Sequence, residues 1–131
     1  MKRASTVFSV ALTLMIVAVT HASLPPQIRP TDPSPFLGEW RGHWVGDRSG
    51  GGILWTSIDP PDSNGRVMIN TALSNAVVPS FSIPTRLVDG ELVLGSPTLD
   101  MVFRLHEDQL IAKYNNKRIN ASGTWYLKRK N

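Results

Sequence analysis

From residue 36 onward, apolar and polar side chains alternate at a period of two, the period that sends successive side chains to opposite faces of a β-strand. In residues 38–46, GEWRGHWVG, Trp40, Gly42 and Trp44 fall on one side and Arg41, His43 and Val45 on the other. Residues 53–58 separate Leu54, Thr56 and Ile58 from Ile53, Trp55 and Ser57. Residues 66–73 alternate Val67, Ile69, Thr71 and Leu73 with Arg66, Met68, Asn70 and Ala72. Residues 81–88 predict a fourth strand, in which Pro84 lacks a ladder N–H and implies an edge or a bulge. A short fifth strand covers residues 91–94. The pattern is cleanest in residues 99–105, where Leu99, Met101, Phe103 and Leu105 oppose Asp100, Arg104 and, just beyond, His106. Leu110, Ala112 and Tyr114 share a face of the seventh strand. An eighth, over residues 118–128, aligns Ile119, Ala121, Gly123, Trp125 and Leu127. Asn64-Gly65 and Asp89-Gly90 are hairpin turn signals. Gly95-Ser96-Pro97, Glu107-Asp108 and Asn115-Asn116-Lys117 break the remaining runs.

Eight short strands joined by tight turns predict an all-β fold, an eight-stranded antiparallel up-and-down barrel in which sequential neighbours pair and the first strand meets the last. Closure removes the exposed edges that an open sheet of this kind would carry. Trp40 and Trp44 are then interior, with Leu54, Val67, Ile69, Phe103, Leu110 and Trp125. A two-sheet sandwich shares the same alternation and is the competing architecture. Two indoles flanking Gly42 suit either a tight barrel floor or the wall of an open ligand site.

The first 35 residues read differently. Lys2 and Arg3 precede an uncharged apolar run over residues 7–19, and Thr20-His21-Ala22 supplies small residues at a cleavage site. Residues 1–22 are therefore predicted to be a secretory signal, which makes the mature protein secreted or periplasmic. The run is short for a bilayer span, and no second one follows, so no membrane span is expected in the mature chain. The chain has no cysteine, which excludes a lipid anchor and a disulfide, even though export would permit one. Residues 23–35 carry prolines at 25, 26, 30, 33 and 35 and predict an extended arm. The barrel domain is assigned to residues 36–131.

Charge and composition narrow the function classes. Lys2 and Arg3 take two of the 14 basic residues with the signal, leaving 12 against 10 acidic ones. Three of those bases cluster at Lys128, Arg129 and Lys130, with no basic stripe interleaved with aromatics, so a nucleic-acid partner is not expected. The glycine-rich residues 46–52 lack the lysine and the helix start of a phosphate loop. Residues 59–65 lack the spacing, the central glycine and the closing glutamate of an EF-hand calcium loop. His43 and His106, on separate strands, would need Asp47 or Asp100 to complete a zinc site. Ser49 and Ser57 stand outside any nucleophile-elbow pattern, and the carboxylates are scattered among turns. The expectation is a binding protein and not an enzyme, with no cofactor and no metal. Asn120-Ala121-Ser122 matches a glycosylation acceptor within the predicted eighth strand.

Gly38-Glu39-Trp40 at the start of the first strand resembles the Gly-x-Trp signature of the calycin superfamily, the lipocalins and avidins. In those proteins a basic residue after the last strand packs over the tryptophan. The resemblance implies structural roles for Gly38 and Trp40, with Lys128 or Arg129 in the basic place. The chain is also similar to the bacterial periplasmic inhibitors of secreted metalloproteases, small barrels whose N-terminal arm enters the protease cleft. Ser23, Leu24, Pro25 and Pro26 would hold that place here.

Two binding functions follow. In the first, the protein carries a small apolar or aromatic molecule at a barrel mouth lined by Trp44, Trp55, Val77, Val78 and Phe81, with Tyr114 stacking inside. In the second, the arm binds a secreted protein partner, as a protease inhibitor does. Five prolines would lower the cost of ordering such an arm.

Overall fold

The alternation builds a closed barrel. The computed structural model describes residues 30–130. The predicted signal and the arm residues Ser23, Leu24, Pro25 and Pro26 lie outside the described residues. A single 3-10 turn, Ser34–Phe36, precedes eight strands. These are β1 (Gly38–Gly46), β2 (Gly51–Ile58), β3 (Val67–Leu73), β4 (Ser80–Val88), β5 (Glu91–Gly95), β6 (Leu99–His106), β7 (Gln109–Asn116) and β8 (Ala121–Arg129). Each pairs antiparallel with the next, and β8 returns to β1. That last pairing runs from Trp40↔Arg129 to Gly46↔Gly123 and decides the architecture in favour of the barrel over the sandwich. Among the described residues, no helix is long and apolar enough to cross a membrane.

The inward parity of every strand supplies the core. Trp40, Leu54, Ile69, Leu92, Phe103, Leu110, Trp125 and Leu127 are all buried, and removing such side chains from water is the main favourable term in folding. Three buried threonines interrupt this apolar interior, and each is satisfied. Thr85 donates to the Val67 carbonyl at 2.7 Å. Thr71 donates to the Trp55 carbonyl at 3.1 Å and lies 3.1 Å from the Thr56 hydroxyl. Gly42 is glycine because of close approach: a Cβ there would run into the Tyr126 carbonyl of β8.

Two local expectations change. The eighth strand starts at Ala121 and not at residue 118. β7 continues to Asn116, which pairs with Ala121, and leaves a turn over residues 117–120. Ile119 is thus 47% exposed, and Asn120 takes a left-handed backbone (φ 52°), so the glycosylation acceptor belongs to a turn and not to a strand. The predicted edge at Pro84 exists locally inside the closed barrel. β4 and β5 pair only from Arg86↔Val93 to Val88↔Glu91, so Pro84 lies beyond the last pair.

One pole of the barrel is sealed. Phe36, carried by the 3-10 turn, is fully buried, and its carbonyl accepts the Trp40 indole N–H at 2.8 Å. The Arg129 guanidinium lies 4.4 Å from the centre of the Trp40 ring. It also donates to the Leu37 carbonyl at 2.6 Å and the Pro35 carbonyl at 2.5 Å. The basic place over the tryptophan therefore belongs to Arg129, whereas Lys128 is exposed opposite Arg41 and Gln109. Gly38 has φ 108°, and a Cβ there would sit 3.2 Å from the Arg129 guanidinium, so both conformation and space call for glycine.

Candidate functional site

The opposite pole is open, and the sequence explains why. The interior positions nearest that rim are Gly46 on β1 and Ala121 and Gly123 on β8, residues with little or no side chain. Lower down, the same strands contribute Trp40 and Leu127, which are buried. The result is a cavity of about 530 Å³ at the end bounded by the β1–β2, β3–β4 and β7–β8 loops. Trp44, Leu73, Phe81, Leu99, Met101, Tyr114 and Trp125 form its wall, and Val77, Val78 and Ile119 stand at its mouth. Trp125 lies deep in it, with ring centroids 5.8 Å from Phe103, 6.2 Å from Phe81 and 6.4 Å from Tyr114.

Trp44 is held by the start of the β3–β4 loop. Its indole N–H donates to the Ser74 carbonyl at 2.8 Å, and the Ser74 hydroxyl accepts from the Ile53 amide at 2.8 Å. A Cβ on Gly52, the β2 residue paired with Trp44, would lie 2.8 Å from the Trp44 indole nitrogen, so the ring can lie across that strand only with glycine there. Exposed Val77 and Val78 belong to the β3–β4 loop, whose register is tied by the Leu73 amide donating to the Pro79 carbonyl at 2.7 Å.

The polar groups sit mostly at the rim. Asp47 accepts from the Ser122 hydroxyl at 2.7 Å, and its amide donates to the Ser122 carbonyl at 2.9 Å, which fastens the β1–β2 loop to β8. Arg48, Asn75, Asn116 and Asn120 complete the rim. Burial, and secondarily the Asp47 carboxylate, push the Tyr114 hydroxyl above its ordinary range, so it remains protonated at neutral pH.

Of the residues predicted to line a ligand site, Trp44, Val77, Val78, Phe81 and Tyr114 meet at this cavity. Trp55 does not. It pairs with Arg41 and Ala72 on the outer surface and is 44% exposed, because Leu54 beside it takes the inward position. His43 is likewise outside, stacked on Tyr126 with centroids 5.3 Å apart. β1 and β6 are not neighbours, so His43 and His106 belong to separate parts of the wall. No cluster of three or more His, Cys, Asp or Glu side chains with metal-holding geometry occurs among the described residues. The wall residues Leu73, Leu99, Met101 and Trp125 had a legible signal, the inward parity they share with Trp44, Phe81 and Tyr114. Asn75, Asn116, Ser122 and Asn120 had none, since rim position depends on how far each loop reaches.

No protein-family model matches the chain, and no curated protein matches it significantly. Among solved structures, it is similar to a protein of unknown function of the DUF3598 family from Nostoc punctiforme PCC 73102, with 17% identity and a TM-score of 0.49. The match covers 83% of this chain and 53% of that one, so the chain spans about half the length of that neighbour.

Proposed function

We propose that the protein is an exported, calycin-like carrier that binds a small apolar or aromatic molecule in the open pole of its barrel, without transforming it. The observation that carries this reading is the cavity of about 530 Å³ with a predominantly aromatic and aliphatic wall. That volume falls within the ordinary range of small-molecule sites, roughly 300–1,000 Å³. An eight-stranded barrel is often filled by its own side chains, and the small residues Gly46, Ala121 and Gly123 keep this one from being so. The Gly38, Trp40 and Arg129 arrangement supports the calycin-like part of the reading. Export rests on the sequence of residues 1–22.

The test is titration of residues 23–131 with the neutral apolar probe N-phenyl-1-naphthylamine, followed by probe fluorescence and quenching of tryptophan emission. Saturable one-to-one binding is expected. Ala121→Trp, which puts an indole at the narrow upper wall, should reduce it at least tenfold while leaving the strand circular dichroism intact. Absence of saturable binding, or binding indifferent to A121W, would sink the carrier reading.

A further inference from the structure

Three of the four indoles face the barrel interior, and they are not treated alike. Trp40 and Trp44 each donate their N–H to a backbone carbonyl at 2.8 Å. Trp125 is only 2% exposed, yet among the described residues its N–H has no acceptor. Its ring neighbours are the carbon surfaces of Phe81, Phe103 and Tyr114. Buried donors are nearly always satisfied, and one that is not carries the full cost of lost hydration. The interior threonines of this barrel obey that rule.

A second donor stands beside the first. Tyr114 pairs with Gly123 across β7 and β8, and its hydroxyl occupies the space that a Cβ of Gly123 would take. Among the described residues it too has no hydrogen-bond partner. Burial keeps it protonated and able to donate. The inward neighbours Trp44, Phe81, Leu99 and Met101 carry no side-chain oxygen, and the acceptors of the lining, Asn75, Asn116, Asn120 and Ser122, stand at the rim.

Resting on the carrier reading, we propose that the ligand is a neutral aromatic carbonyl compound, an aryl ketone or quinone, whose oxygen accepts hydrogen bonds from the Trp125 indole N–H and the Tyr114 hydroxyl. The flat ring would lie among Trp44, Phe81 and Met101. A site that offers donors discriminates against an isostere without the acceptor, because its own polar groups are then left unpaired.

The experiment compares 9-fluorenone with fluorene, the same tricyclic skeleton with and without the carbonyl, by calorimetric titration of residues 23–131. Fluorenone should bind roughly fivefold to tenfold more tightly, the worth of one net buried hydrogen bond. Trp125→Phe and, separately, Tyr114→Phe should each bring the ratio of fluorenone to fluorene affinity toward one, whatever either change does to the affinity for both. Tyr114→Phe keeps the test alive if Trp125→Phe fails to fold. Equal affinities, as expected if only water satisfies the donors, would overturn the inference. So would an advantage that survives both substitutions. Either result leaves the carrier reading standing, provided the naphthylamine probe binds. If the probe binds and neither tricycle does, the carbonyl inference fails alone. If none of the three binds, both readings fall together.

Discussion

Trp40 and Trp44 lie on the same strand and the same face, one helical-looking interval of four apart in sequence, yet they serve opposite poles. Trp40 is buried under Phe36 and Arg129. Trp44 is half-buried at the edge of an open cavity. The strands themselves do not make that difference. It comes from what the chain does outside them: at one pole a 3-10 turn folds inward and an arginine closes over it, while at the other the loops carry glycine, asparagine and valine and leave the interior open. Sealing and opening are therefore properties of the ends, imposed on a uniform wall.

The comparison predicts its own largest effect. Trp40→Ala should cost about 3–5 kcal/mol, the range for emptying a fully packed aromatic site. Trp44→Ala should cost clearly less, about 1–2 kcal/mol, because that ring already borders open space. Urea denaturation of the two variants measures the gap, and equal losses would break the contrast between the poles. Next, Phe36→Ala should cost about 3 kcal/mol although it lies outside every strand, since the seal depends on it. A loss near zero in the same assay would mean that the pole closes by other means.

The basic residues give a smaller contrast. Arg129→Ala should destabilise by about 1 kcal/mol, through its cation–π contact and its bonds to Leu37 and Pro35 at the surface. Lys128→Ala should stay within about 0.5 kcal/mol. Reversal of that order would return the basic place to Lys128. On the outer wall, Trp55→Ala should leave naphthylamine affinity unchanged, whereas Val77→Asp at the mouth should weaken it several-fold. A loss of binding in W55A would put the site on the wrong face.

The smallest effect is in pH. The Tyr114 hydroxyl titrates above its ordinary value of 10.0 in the folded barrel. Below that value both folded and unfolded chains hold the proton, and the group contributes its full share. As pH rises past it, the unfolded chain releases the proton first, and stability falls until the folded hydroxyl ionises too. Tyr114→Phe should therefore show a shallower decline in stability as pH rises past about 10 than the native chain.

Most of the wall was legible in the sequence, because period-two parity is a local property and nothing in this fold overrides it. Parity alone placed Leu54, Ile69, Phe103 and Trp125 inside, but it is equally that of a sandwich, and closure is shown only by the pairing of β8 with β1. The same rule also placed Trp55 outside. Assigning it to the mouth weighed its aromatic character above its position in the alternation, and position won. Ile119 shows the converse. It keeps parity with Ala121 and so extends the apparent strand, but Asn120 turns left-handed between them and the alternation there has no structural meaning. Phe36 had no periodic signal at all, since a side chain carried by an isolated turn is placed by tertiary contact. The height at which the barrel empties was written in Gly46, Ala121 and Gly123, but only the register reveals that Gly46 lies opposite Gly123, with Ala121 one inward position nearer the rim.

Arg129 ties the carbonyls of Pro35 and Leu37 to the end of β8, so the described chain enters and leaves the barrel at the same, sealed pole. The described part of the molecule is a cup with Pro30 and Lys130 on the side of its base. A dye attached directly at Lys130 would stand at that base, with the rim facing away from it.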